Sequence, residues 1–157
     1  MNLNSLYKIR LSNKVALRII AVSSLVGFAD ALYLTANHYL GDGVRCFITS
    51  GCEKVLTSQY SSFFGIPISV FGLAFYALVF VLVNLLDIYG KDLVAKALVG
   101  LTFSGFFSSV VLLCLQLFVI RAICFYCIVS LISSTVIFIL AIIIKVEINK
   151  QLTNKYE

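Results

Sequence analysis

Polar and apolar residues in this chain fall into long blocks. Four stretches, at about 15–40, 67–86, 94–119 and 123–145, are apolar almost throughout. Soluble helices alternate apolar and polar faces, whereas unbroken runs of about 18 or more apolar residues match the hydrocarbon core of a bilayer. The pattern predicts an all-α integral membrane protein, a four-transmembrane-helix bundle forming a single domain over residues 1–157. A polar segment at 41–66 joins the first two helices. Pro67 suits the first turn of the second helix, where its missing N–H costs no helical hydrogen bond. Asp87-Ile-Tyr-Gly-Lys-Asp92 reads as the turn between helices two and three, and Arg121 marks a very short connection before helix four. Lys8, Arg10 and Lys14 resemble the basic end of a leader peptide. The apolar stretch behind them is too long for one and no small-x-small cleavage site follows, so it reads as a retained span.

Composition agrees: 61% of the 157 residues are hydrophobic, against about half in a soluble domain. The net charge of +5 does not imply a nucleic-acid partner, because membrane proteins place basic residues beside helix ends for topological reasons. With the N-terminus in the cytoplasm, Lys8, Arg10, Lys14, Arg18, Lys91, Lys96, Lys145, Lys150 and Lys155 fall on the inner side. Arg45, Lys54 and Arg121 fall outside. The positive-inside rule favours this orientation, with both termini cytoplasmic. It has a chemical consequence: the 41–66 loop and the start of helix four share the outer face, so Cys46, Cys52, Cys124 and Cys127 gather on the oxidising side.

Cys124-Phe-Tyr-Cys127 opens a helix. Residues three apart share a helix face, so the two sulfurs can bond. The helix N-terminus favours thiolate, and Arg121 adds positive charge nearby. Cys46 and Cys52 lie in a loop with Gly41, Gly43 and Gly51, where an outside thiol can reach a disulfide. Two pairs in series form a thiol–disulfide relay, and the acceptor most available beside it is a quinone dissolved in the bilayer. Two other readings stand beside the relay. Both pairs can be structural disulfides in a non-catalytic membrane scaffold. Four cysteines can also hold zinc, although C-x5-C departs from the tight knuckles that structural zinc prefers, and no metal is expected. Cys114, deep in helix three, reads as a small buried apolar residue. Asp30 is the oddest polar residue within a span, with a proton-handling role as one reading. His38 reads as interfacial, and Ser23, Ser24, Ser104, Ser108 and Ser109 as small packing residues.

The cysteine order, C-x5-C in the first outer loop and then C-x-x-C opening the fourth helix, resembles the vitamin K epoxide reductase family and its bacterial homologues. Gly51-Cys-Glu-Lys-Val-Leu-Thr-Ser58, Phe63-Phe-Gly-Ile-Pro-Ile-Ser-Val-Phe-Gly72 with Tyr76, and Asp30-Ala-Leu-Tyr-Leu-Thr35 are similar to that family's loop, second helix and first helix. DsbB-type quinone reductases carry the two pairs in the opposite order. The resemblance implies a quinone pocket at the outer end of the bundle, with ubiquinone or menaquinone as electron acceptor. It makes Cys127 face the quinone, Cys124 exchange with the loop, and Cys46 and Cys52 the shuttle pair. It places Ser58, Phe63, Phe64, Ile68 and Phe71 around the pocket, with Leu131 one turn past Cys127. Leu131 and Ile68 stand where vertebrate members have tyrosine and asparagine, which favours a plain quinone over vitamin K epoxide. The resemblance further implies a bacterial inner-membrane enzyme of the stand-alone form. Its partner would be a separate thioredoxin-fold, DsbA-like protein, and its task disulfide bond formation.

Overall fold

A computed structural model describes residues 3–40, 51–56, 58, 61–63 and 65–156. Helix α1 spans Leu3–Leu40 and is followed by a short helix, α2, at Gly51–Leu56. A two-residue antiparallel pairing of β1 (Ser62–Phe63) with β2 (Ile66–Pro67) leads into α3, Ile68–Tyr89. Helix α4 covers Asp92–Cys114 and runs on as a π-helical segment, Leu115–Ile120; α5 covers Phe125–Tyr156. Four segments are long and apolar enough to cross a membrane: Lys14–Leu40, Ile68–Tyr89, Asp92–Ile120 and Phe125–Lys150.

The inner turn is shorter than the run of polar residues suggests. Helix α3 continues through Asp87, Ile88 and Tyr89, and the chain reverses at Gly90 and Lys91. Gly90 takes the left-handed conformation, φ 58°, and its N–H bonds Leu86 O at 2.9 Å, closing the helix. Only glycine adopts that backbone at no steric cost. Asp92 then sits in the first turn of α4, where a carboxylate complements the helix dipole. It pairs with Lys96 one turn on, at 2.8 Å, and with Lys145, which ties α4 to the far end of α5.

The bundle interior is a cluster that includes Ile20, Tyr76, Val79, Leu98 and Ile137, drawn from all four long helices. Between transmembrane helices packing gains come from close approach, because lipid is as apolar as a leucine side chain. Gly27 provides that approach: a Cβ there would lie 2.3 Å from ring carbons of Tyr76. Small hydroxyls bridge helices elsewhere, with Thr35 donating to Ser69 at 2.9 Å between α1 and α3 and Ser134 to Ser109 at 3.1 Å between α5 and α4.

Cys114 corrects the sequence reading. It is exposed, a free thiol on the outside of α4. Val111, Leu117 and Phe118 are exposed with it, whereas Leu112 and Leu115 line the interior cavity, so one apolar run carries both an outer and an inner face.

Candidate active site

The α4–α5 connection is built to present the C-x-x-C. At the end of the π-helical segment Arg121 takes φ 52°, left-handed for a non-glycine residue. Its N–H and that of Ala122 both bond the Gln116 carbonyl, the latter at 3.2 Å. The chain then reverses within four residues and enters α5, whose Ile128 N–H bonds Cys124 O at 3.3 Å. Cys124 therefore stands at the N-cap and Cys127 in the first turn. Arg121 is exposed, and its part here is to make the turn.

The two sulfurs face different surroundings. Cys124 is fully buried and packs in one cluster with Cys52 and Val55 of α2. Cys52 is also fully buried and is disulfide-bonded. Cys127 lines a cavity of about 660 Å³ between α1, α3, α4 and α5. Three of the four expected redox cysteines thus meet at one end of the bundle, and Cys46 lies outside the described residues. The Cys124 thiol is lowered to about 7. The largest cause is the hydrogen bond donated by the Cys127 thiol. Burial opposes it, and the backbone N–H groups of Cys127 and Tyr126 add to it, which is the helix N-terminus acting on a thiolate.

Most of the cavity wall is apolar, with polar groups at a few points. Ile68 and Phe71 line it from the start of α3, and Ser58 from the segment before it. Phe64, like the side chain of Phe63, lies outside the described residues. Leu131 is not among the lining residues; Ser130, on the adjacent helical position, takes that place. The Tyr76 hydroxyl donates to Ser130 O at 3.0 Å and meets Ser130 Oγ at 2.8 Å. Asp30 lines the cavity too, near enough to Cys124 and Cys127 for their charges to interact. Ser104 and Ser108, read from sequence as packing residues, line it from α4.

Gln116 is the residue that the sequence reading passed over. It lies in the π-helical segment, 2% exposed. Its Oε1 accepts the Cys124 backbone N–H at 2.9 Å, and it lines the same cavity as Cys127. A polar amide inside an otherwise apolar Leu-Gln-Leu run was the available signal.

A four-helix membrane bundle with a C-x-x-C between a buried disulfide-bonded cysteine and an apolar cavity defines a membrane thiol–disulfide oxidoreductase. The model of the vitamin K epoxide reductase family matches residues 18–142, most of the chain including the C-x-x-C, and the protein belongs to that family. No curated protein matches the chain.

Proposed function

We propose that this protein oxidises a thioredoxin-fold, DsbA-like partner and passes the electrons to a membrane quinone, supporting disulfide bond formation. The observation that carries the reading is the division of labour in the C-x-x-C: Cys124 is packed on Cys52, and Cys127 opens on the cavity. A thiolate of the partner opens the Cys46–Cys52 disulfide, and the partner leaves with its own disulfide. Cys52, as thiolate, attacks Cys124 Sγ, its neighbour in the buried cluster. The Cys124–Cys127 bond breaks and Cys127 departs as thiolate. Cys46 then attacks Cys52, restoring the loop disulfide and releasing Cys124, whose lowered pKa makes it a good leaving group.

The cavity fits a quinone. Ligand pockets of roughly 300–1,000 Å³ with apolar walls and a few fixed polar groups hold molecules of that size, and the 660 Å³ here falls in that class. A bound quinone would supply a two-electron, two-proton acceptor. Cys127 is placed to deliver the electrons, closing the Cys124–Cys127 disulfide, and Asp30 to take and pass on the thiol protons. Tyr76, through its hydroxyl, holds Ser130 at the cavity wall one turn past Cys127. Leu78 of α3 and Ser104 of α4 are cavity-lining yet exposed, which marks a side opening through which a lipid-soluble acceptor enters. The orientation follows the charge count, with both termini cytoplasmic and the cysteines outside; a bacterial inner membrane is what the resemblance to the family's bacterial members implies.

The test is turnover. The purified chain in detergent, mixed with a reduced DsbA-like protein and a soluble ubiquinone or menaquinone analogue, should reduce the quinone, and Cys127→Ser should abolish it. A parent protein inactive with both quinone types and several partners would leave the structural-disulfide reading in its place.

A further inference from the structure

Gln116 holds the α4–α5 turn in two ways, through its backbone and through its side chain. A π turn widens the helix by one residue, and such turns recur where a side chain must be redirected. Here the Gln116 carbonyl accepts the Arg121 and Ala122 N–H groups, and its side-chain Oε1 accepts the Cys124 N–H at 2.9 Å. A backbone N–H is always a donor, so the amide group facing it must present its oxygen. That fixes which way the amide points. Its Nε2, a donor only, is then the end left to face Cys127, which lines the same cavity within its reach.

We propose that Gln116 is the positioning residue for the cavity-side sulfur: Oε1 is locked by the Cys124 backbone, and Nε2–H donates to Cys127 Sγ when that sulfur carries negative charge. This rests on the relay reading and adds a residue to it. In the fully reduced pair the charge sits on Cys124, held by the Cys127 thiol. Once Cys52 has bonded to Cys124, that arrangement ends. The Cys124–Cys127 bond has broken, its electron pair is on Cys127, and no Cys124 thiolate remains to share a proton with. Gln116 is the fixed donor that receives this charge. The buried amide needs no reorganisation to do so, since its other end never lets go of the backbone. The same contact keeps the Cys127 sulfur turned towards the cavity.

The test isolates Cys127. In the full-length chain carrying Cys124→Ser and Cys114→Ala, Cys127 has no cysteine partner in the C-x-x-C and the exposed thiol is gone. Alkylation of Cys127 by a membrane-permeant maleimide is followed by mass spectrometry at fixed pH. A hydrogen bond to a charged group supports a loss of about tenfold or more when removed, so Gln116→Leu should slow alkylation about tenfold. Because Gln116→Leu also strands the backbone N–H of residue 124 and can loosen the turn, Gln116→Glu is the control. It keeps an acceptor for that N–H but offers no donor once ionised. It should therefore retain the thermal stability of the Gln116 parent and still alkylate slowly, the deficit growing as pH rises through the carboxyl's titration. Equal alkylation rates with Gln, Leu and Glu at 116 would overturn the proposal, as would a Glu variant that recovers the parent rate at every pH. The readout needs neither quinone nor partner, so a chain inactive in turnover would sink the relay and leave this measurement standing.

Discussion

The Cys124 thiol invites a quantitative test. Its ordinary value near 9.0 is lowered to about 7. Each pH unit corresponds to about 1.4 kcal/mol of preference for the charged form, so the surroundings favour the thiolate by on the order of 3 kcal/mol. The largest contribution is the hydrogen bond from the Cys127 thiol, with backbone N–H groups of Cys127 and Tyr126 behind it and burial opposing. The sign follows from a depressed value. The thiolate contribution to the stability of the reduced fold is complete above about pH 9. It declines as pH falls and is gone below about pH 7. Near pH 7 about half the reduced molecules should carry the charge, against about 1% for a thiol at the ordinary value.

The ultraviolet absorbance of the thiolate, titrated in reduced protein and differenced against Cys124→Ser, measures this without needing access to a buried sulfur. The parent should gain its first thiolate near pH 7. Cys127→Ala deletes the main donor and should move that transition up by at least one unit. Cys127→Ser keeps a hydroxyl donor and should move it less. Refutation would be a first thiolate appearing only near pH 9 in the parent, or an Ala variant that titrates with the parent.

Three further outcomes are expected. Asp30→Asn should slow quinone reduction by about a hundredfold, the lower end of general acid–base effects, while reduction of the loop disulfide by the partner keeps its rate; Asp30→Glu should recover part of the loss. Gly27→Ala drives a methyl to within 2.3 Å of the Tyr76 ring, an overpacking cost of about 1–3 kcal/mol, seen as a lower melting temperature in detergent. Cys114→Ala should leave turnover unchanged, since that thiol points away from the bundle.

Apolar runs and helix parity were enough to bring Cys52, Cys124 and Cys127 to one end, because each rests on a strong physical constraint: bilayer thickness and the alternation of spans. What depends on which way a helix faces was harder to read. In a membrane, hydrophobicity does not separate core from surface, so Cys114 looked interior and is exposed, although Leu112 and Leu115 beside it line the cavity. Helical phase likewise separates Leu131 from Ser130. Position 130 follows Cys127 by three residues and shares the cavity, whereas 131 turns past it. Gln116, by contrast, was legible by the ordinary count: it follows Ala95, Thr102 and Ser109 at intervals of seven and shares their inward face.

The placement of the C-x-x-C at the start of α5 answers a geometric problem. In the proposed relay, two sulfurs that exchange electrons must be close enough to bond, yet each must meet a different reactant. In the middle of a helix, residues three apart face the same way and would present both thiols to one environment. At the N-cap the first residue is half outside the helix. Cys124 can therefore turn to the loop cluster with Cys52 while Cys127, already helical, turns to the cavity. The same junction leaves the first backbone N–H groups of α5 without helical partners. Cys127 and Tyr126 direct theirs at the Cys124 sulfur, and Cys124 directs its own at Gln116. The helix start thus separates the two reactants, supplies the donors that hold charge on Cys124, and orients the amide that faces Cys127. Moving the motif one turn deeper into α5 would keep the disulfide but lose all three, which is why its position in the helix matters as much as its spacing.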